Sequence, residues 1–176
     1  MKKTTKYLVQ AAVIAALYAV LTHLQNLLLP GSATWAIQMR MSEALCVLAF
    51  FTPAAVPGLT IGCLLFNITF AAALPLDFVI GSAATLIAAE GMWLTRKVTV
   101  KGYPLLGMLM PAIANAILVG WELTVYIGGG FLINALYVAL GELAVLLTAG
   151  CCRVVCYGVR ATLSCDGLKL CGRYTT

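Results

Sequence analysis

The scarcity of charge is what most limits how this chain can fold. Only 10% of its 176 residues are Asp, Glu, Lys or Arg, 62% are hydrophobic, and mean hydropathy is +1.01. A soluble domain carries about 25% charged residues, because its surface needs them. This chain cannot cover itself with polar side chains, so lipid must be its solvent. Against that background the stretch QMRMSEALCVL, residues 38–48, sets an arginine and a glutamate three positions apart at the mouth of an apolar segment.

Six hydrophobic segments are marked off by their punctuation: residues 7–29 up to PGS, 41–51 up to TPAAVPG, 56–74 up to LPLD, 77–95 up to RKVTVK, 104–127 up to GGG, and 131–152. They predict an all-α integral membrane protein with six transmembrane helices. A spanning helix needs about 17–25 residues, so the segment 41–51 is too short by itself. It is expected to complete its crossing with the preceding WAIQMR in partly non-helical form. A membrane tolerates such backbone only where protein or a water-filled cavity shelters it. The basic start MKKTTKYLVQ is of the kind a signal peptide has. The apolar run after it is about the length of a full span and has no good cleavage site before Pro30, so it reads as a retained helix.

Lysine and arginine set the orientation. Lys2, Lys3, Lys6, Arg96, Lys97, Lys101, Arg153, Arg160, Lys169 and Arg173 all fall at the termini or between the fourth and fifth segments. Only Arg40 falls on the other side. The positive-inside bias predicts a multi-pass protein of the cell membrane with both termini cytoplasmic. The net charge of +5 is then a signal of topology, and nucleic-acid binding is not expected. Five of the seven cysteines crowd the stretch from Cys151 onward without metal-ligand spacing, which suits reduced thiols on a cytoplasmic tail and no metal site. The chain divides into a transmembrane domain, residues 1–157, and a basic Cys-containing tail, residues 158–176.

With that topology drawn, Glu43, Asp77, Glu122 and Glu142 all belong to the outer half of the bundle, with Arg40 as the one outer cation. An ionisable group at such depth costs a few kcal/mol and marks a functional site by default. Plainer roles also exist. Ser42 and Glu43 suit the start of a helix, Arg40 can pair with Glu43, and Asp77 can cap a helix after Pro75. Asn115 and Glu122 share one helical face with Gly120 nearby, and Asn134, Tyr137, Gly141 and Glu142 share a stripe of the last segment. These groups could equally serve as hydrogen bonds between helices. Trp35 and Trp121 suit an interfacial belt, and His23 suits a belt or pairing role. Ala11, Ala12, Ala15, Ala16 and Ala19 form a small-residue stripe. Such a stripe serves either packing within the bundle or docking of a separate membrane protein. No nucleophile–base pair or phosphate loop is present, so no enzyme chemistry is expected.

The stretches AAVIAALYAVLT, IQMRMSEALCVLAFFTPAAVPGLTIGCLLFN, LPLDFVIGSAATLIAA, PAIANAILVGWEL and INALYVALGEL together resemble the QueT family, in matching order from about Ala11 to Leu146. Members of that family are substrate-binding (S) components of energy-coupling factor (ECF) transporters, associated with uptake of queuosine precursors. The resemblance implies an S-component bundle that binds substrate from outside and delivers it inward by toppling. A coupling transmembrane protein would dock on the alanine stripe. Two ATPase subunits would hydrolyse ATP, and this chain itself would carry no cofactor. A 7-deazaguanine offers donors at N1 and the 2-amino group and an acceptor at O6. One carboxylate can take both donors. Glu122 or Glu142 is then expected at the base edge and Asn115 at O6. Glu43 or Asp77 would meet an amine, Tyr137 or Trp121 would stack, and Arg40, Glu43 and Gln38 would form the rim, with Asn134 in the same lining. An S component for another vitamin or heterocyclic amine, or a membrane scaffold subunit, would share much of this pattern.

Overall fold

The computed structural model describes residues 2–30, 40–70, 76–100 and 104–148. Gln38, Trp35 and the tail 158–176 lie outside the described residues. Among those described, every element is a helix: α1 Lys3–Leu28, a 3₁₀ segment Met41–Phe50, α2 Ala55–Thr69, α3 Asp77–Thr95, α4 Leu105–Tyr126 and α5 Phe131–Thr148. Three of them, α1, α3 and α4, are long and apolar enough to cross a membrane, while α2, α5 and the 3₁₀ segment are shorter.

Helices that follow one another in sequence pack side by side, α1 on α2, α2 on α3, α3 on α4 and α4 on α5. The 3₁₀ segment touches all five. It therefore lies on the inner side of an arc of helices, where its backbone is sheltered by protein. Ten residues of 3₁₀ helix are unusual, since runs beyond three or four residues are uncommon. At about 2.0 Å per residue the segment reaches further than the same residues would in an α-helix. Its side chains at i and i+3 also line up on one ridge, which the site uses.

The polarity of the bundle is that of a membrane protein. Its outside carries Val13, Leu17, Val20 and Leu24 on α1, Ile61 and Leu65 on α2, and Ile113 and Ile117 on α4, all well exposed. So much contiguous apolar surface would be a liability in water and is ordinary in lipid. The inside holds one apolar cluster, around Tyr18, Phe50, Leu59 and Met92, and a second formed by Ala84, Val119, Leu123 and Val138. Small residues bring the backbones together where lipid gives helices no hydrophobic reason to associate. A Cβ at Gly58 would lie 2.8 Å from the Ala11 carbonyl oxygen, one at Gly62 2.8 Å from that of Ala15, and one at Gly120 2.8 Å from Ala135 Cα.

That packing divides the alanine stripe of α1. Ala11 and Ala15 are turned inward and buried against α2, Ala12 and Ala16 stay exposed, and Ala19 is half-buried. The exposed part of the stripe is thus Ala12, Ala16 and the edge of Ala19.

Candidate binding site in the polar interior

The 3₁₀ spacing places Arg40, Glu43 and Cys46 in register along one edge of the segment. Arg40, the residue that precedes it, is 3% exposed. One guanidinium nitrogen donates to both oxygens of Asp77, at 3.0 and 3.3 Å. The other approaches the Cys63 sulfur at 3.7 Å, and the guanidinium carbon lies 6.0 Å from the Phe66 ring centroid. The expected pairing of Arg40 with Glu43 is therefore replaced by a pairing with Asp77, thirty-seven positions away. Asp77 opens α3 without capping it, since no side-chain bond closes that helix end. Ser42 likewise caps nothing and instead accepts the Thr22 hydroxyl at 2.7 Å. Gly81 makes room for the pair. A Cβ there would sit 2.7 Å from Asp77 Oδ1, 3.0 Å from Asn67 Nδ2 and 3.5 Å from Arg40.

Glu43 is held from three elements. The Tyr18 hydroxyl of α1 donates to Oε1 at 2.5 Å, and the Thr85 hydroxyl of α3 to the same oxygen at 3.3 Å. The Cys46 thiol donates to Oε2 at 3.0 Å. A carboxylate has about four lone-pair positions, and this one has most of them occupied by the fold. Glu43 thus stitches the 3₁₀ segment to α1 and α3.

The carboxylates of α4 and α5 are placed differently. Asn115 Nδ2 donates to Glu142 Oε1 at 3.0 Å, which joins the two helices more than a turn away from the close approach of Gly120 to Ala135. Glu142 Oε2 and both oxygens of Glu122 are buried without a hydrogen-bond partner, as is Ser82 Oγ. Glu122 lies within electrostatic reach of Asp77 and Arg40, and Glu142 within reach of Glu43 and Arg40. Among the described residues, four carboxylic acids and one guanidinium are buried, and the guanidinium already serves Asp77. Among the described residues, the oxygens of Glu122 and one of Glu142 are thus left as acceptors without donors.

Other expected residues lie elsewhere. Trp121 and Tyr137 are 51% and 42% exposed on the outside of the bundle, away from the buried acids. On α4 the buried Glu122 is next in sequence to Trp121, and about 100° of helix rotation separates adjacent side chains. Asn134 is buried, but its amide donates to Thr124 Oγ1 and to the Gly128 carbonyl, both at 3.1 Å. It secures the turn between α4 and α5, where Gly128 and Gly129 take positive φ. His23 Nε2 lies 2.8 Å from the Thr69 hydroxyl. Tyr18, Thr85 and Asn67 were not expected in the interior. Tyr18 and Thr22 continue the buried Ala11 and Ala15 face of α1 at helical spacing, and that continuation was the signal available for them.

No solved structure matches the chain. The queuosine precursor transporter QueT of Lactococcus lactis subsp. cremoris (strain MG1363) is 36% identical over 91 residues. That stretch is 49% of this chain and 50% of the relative, so the match spans about half the length of each. A family model described as QueT transporter matches residues 8–157, which takes in almost all of α1 and every element that builds the polar interior. On that match the chain belongs to the QueT transporter family.

Proposed function

We propose that this protein is the substrate-binding component of an ECF importer and that it takes up a queuosine precursor, a 7-deazaguanine base. Support comes from family membership, from the name of the Lactococcus relative and above all from one feature of the interior. Three carboxylate oxygens, two on Glu122 and one on Glu142, are buried without donors. Leaving such groups unpaired costs about 1–3 kcal/mol each, and more when they are charged. A guest rich in N–H groups completes them. The N1–H and 2-amino group of a deazaguanine fit one carboxylate side by side, and an aminomethyl ammonium suits the other. Asn115 gives one N–H of its Nδ2 to Glu142 and so orients that acid, and its second N–H serves O6.

In this reading the chain has six spans and both termini in the cytoplasm. A coupling transmembrane protein docks on the exposed part of the α1 stripe, and two ATPase subunits supply the energy by hydrolysing ATP. Residues 1–157 form the binding domain and residues 158–176 a separate tail.

Calorimetric titration of the purified protein in lipid nanodiscs with 7-aminomethyl-7-deazaguanine tests the site. Binding is expected to weaken about 10- to 100-fold in Glu122→Gln, the loss that goes with one charge-assisted hydrogen bond. Affinity unchanged in both Glu122→Gln and Glu142→Gln would leave the acids as helix glue and remove the site. Docking has its own test. Ala16→Leu places bulk on the exposed stripe and is expected to abolish co-purification with the coupling protein while ligand affinity stays unchanged. Retention of the partner by that variant would move the docking face off α1.

A further inference from the structure

We infer that Asn67 is a specificity-determining residue of this site, its Oδ1 accepting an N–H of the bound heterocycle. The inference rests on the proposed deazaguanine reading and adds a contact on α2. Asn67 is 5% exposed. Its Nδ2 donates to the Asp77 carbonyl oxygen at 2.8 Å and lies 3.6 Å from the Cys63 sulfur. The bond to a carbonyl fixes which end of the amide is which, because the flipped form would set oxygen against oxygen. Oδ1 is then held in place as a buried acceptor without a donor. A side chain pinned at one end and unsatisfied at the other is in the state of a recognition group awaiting its partner.

Its surroundings point to the ligand site. Asn67 Nδ2, Asp77 Oδ1 and Arg40 all come within 3.5 Å of the one point where a Cβ on Gly81 would fall. Glu122 lies within electrostatic reach of the same Arg40–Asp77 pair. The two approach from different sides, since α2 and α4 both pack on α3 and not on each other. One turn beyond Asn67, Phe70 stacks on Phe66 with ring centroids 5.2 Å apart and is only partly buried. A planar heterocycle whose N1 edge meets a carboxylate of α4 or α5 has a further N–H to offer on another side.

The test pairs a protein variant with missing ligand donors. The wild-type chain and Asn67→Ala, in nanodiscs, are titrated with 7-aminomethyl-7-deazaguanine, its 9-methyl derivative and its 2-desamino derivative. Wild type is expected to lose at least tenfold in affinity for the 9-methyl derivative, and Asn67→Ala to discriminate against it by less than twofold. Both are expected to lose affinity for the 2-desamino derivative, whose missing donor belongs to the carboxylate. Asn67→Ser, which keeps a hydroxyl for the Asp77 carbonyl, serves if the alanine variant does not fold. A purely structural role would weaken all three ligands in proportion and leave their ratios unchanged, and that result overturns the inference. So does a wild type that is indifferent to 9-methylation. If wild type binds none of the three, the deazaguanine reading itself falls and the inference with it. Binding with unaltered discrimination removes only the role of Asn67.

Discussion

Asp77→Ala is expected to be among the most damaging single substitutions in this protein, with a loss of about 3–5 kcal/mol. The change removes a short side chain and leaves Arg40 buried with its main counter-charge gone. Desolvating a guanidinium is costly, and the attraction that offsets it comes from the two Asp77 oxygens at 3.0 and 3.3 Å. For a chain of this size the loss corresponds to a drop on the order of 10 °C in the thermal midpoint. The double substitution Arg40→Met with Asp77→Leu separates charge stranding from lost packing. Two apolar side chains need no partner, so the pair is expected to be more stable than Asp77→Ala alone. Thermal unfolding followed by fluorescence in one detergent decides the matter. A double variant no more stable than the single one would mean that the ion pair is not what holds the 3₁₀ segment to α3.

That pair also shows where the sequence stops being informative. Hydrocarbon demands long apolar runs with polar punctuation, so the segments 77–95 and 104–127 foretold α3 and α4 to within a residue at each end. The burial of Glu43, Asp77, Glu122 and Glu142 was legible for the same reason, since charges that lie within a lipid-solvated chain must turn inward. Their partners were not. Arg40 lies three residues from Glu43 and thirty-seven from Asp77, and only the fold decides between them. Nor did the apolar composition of MSEALCVLAF announce a 3₁₀ helix, because the tighter winding answers to the five helices around it. The aromatic residues failed for a simpler reason. Trp121 precedes the buried Glu122, and side chains one position apart on a helix do not share a face. Tyr137 has helical spacing with Asn134 and Gly141, but the buried stripe of α5 runs through Asn134, Val138, Gly141, Glu142 and Val145 and leaves Tyr137 outside its edge.

Gly62→Leu is expected to abolish folding of the bundle, and Gly62→Ala to destabilise it by about 1–3 kcal/mol, the usual cost of overpacking a close contact. Two effects compete in the alanine variant. Replacing a glycine inside a helix ordinarily stabilises by about 0.5–1 kcal/mol, because the unfolded chain loses freedom. Here the added Cβ would fall 2.7 Å from Tyr18 Cβ, 2.8 Å from the Ala15 carbonyl oxygen and 3.1 Å from Ala15 Cα. These atoms are backbone or at the root of a side chain, so they yield only if α1 and α2 move apart. Tyr18 is the residue whose hydroxyl holds Glu43, so the separation would also loosen the 3₁₀ segment from α1. Gly130→Ala supplies the comparison, since a Cβ there meets nothing closer than 3.8 Å. Thermal midpoints of the two alanine variants in the same detergent are expected to lie well apart, with Gly62→Ala below wild type and Gly130→Ala close to it. A Gly62→Ala midpoint at or above wild type would mean that helix propensity outweighs the contact. The small-residue seam between α1 and α2 would then be looser than the closeness of their backbones implies.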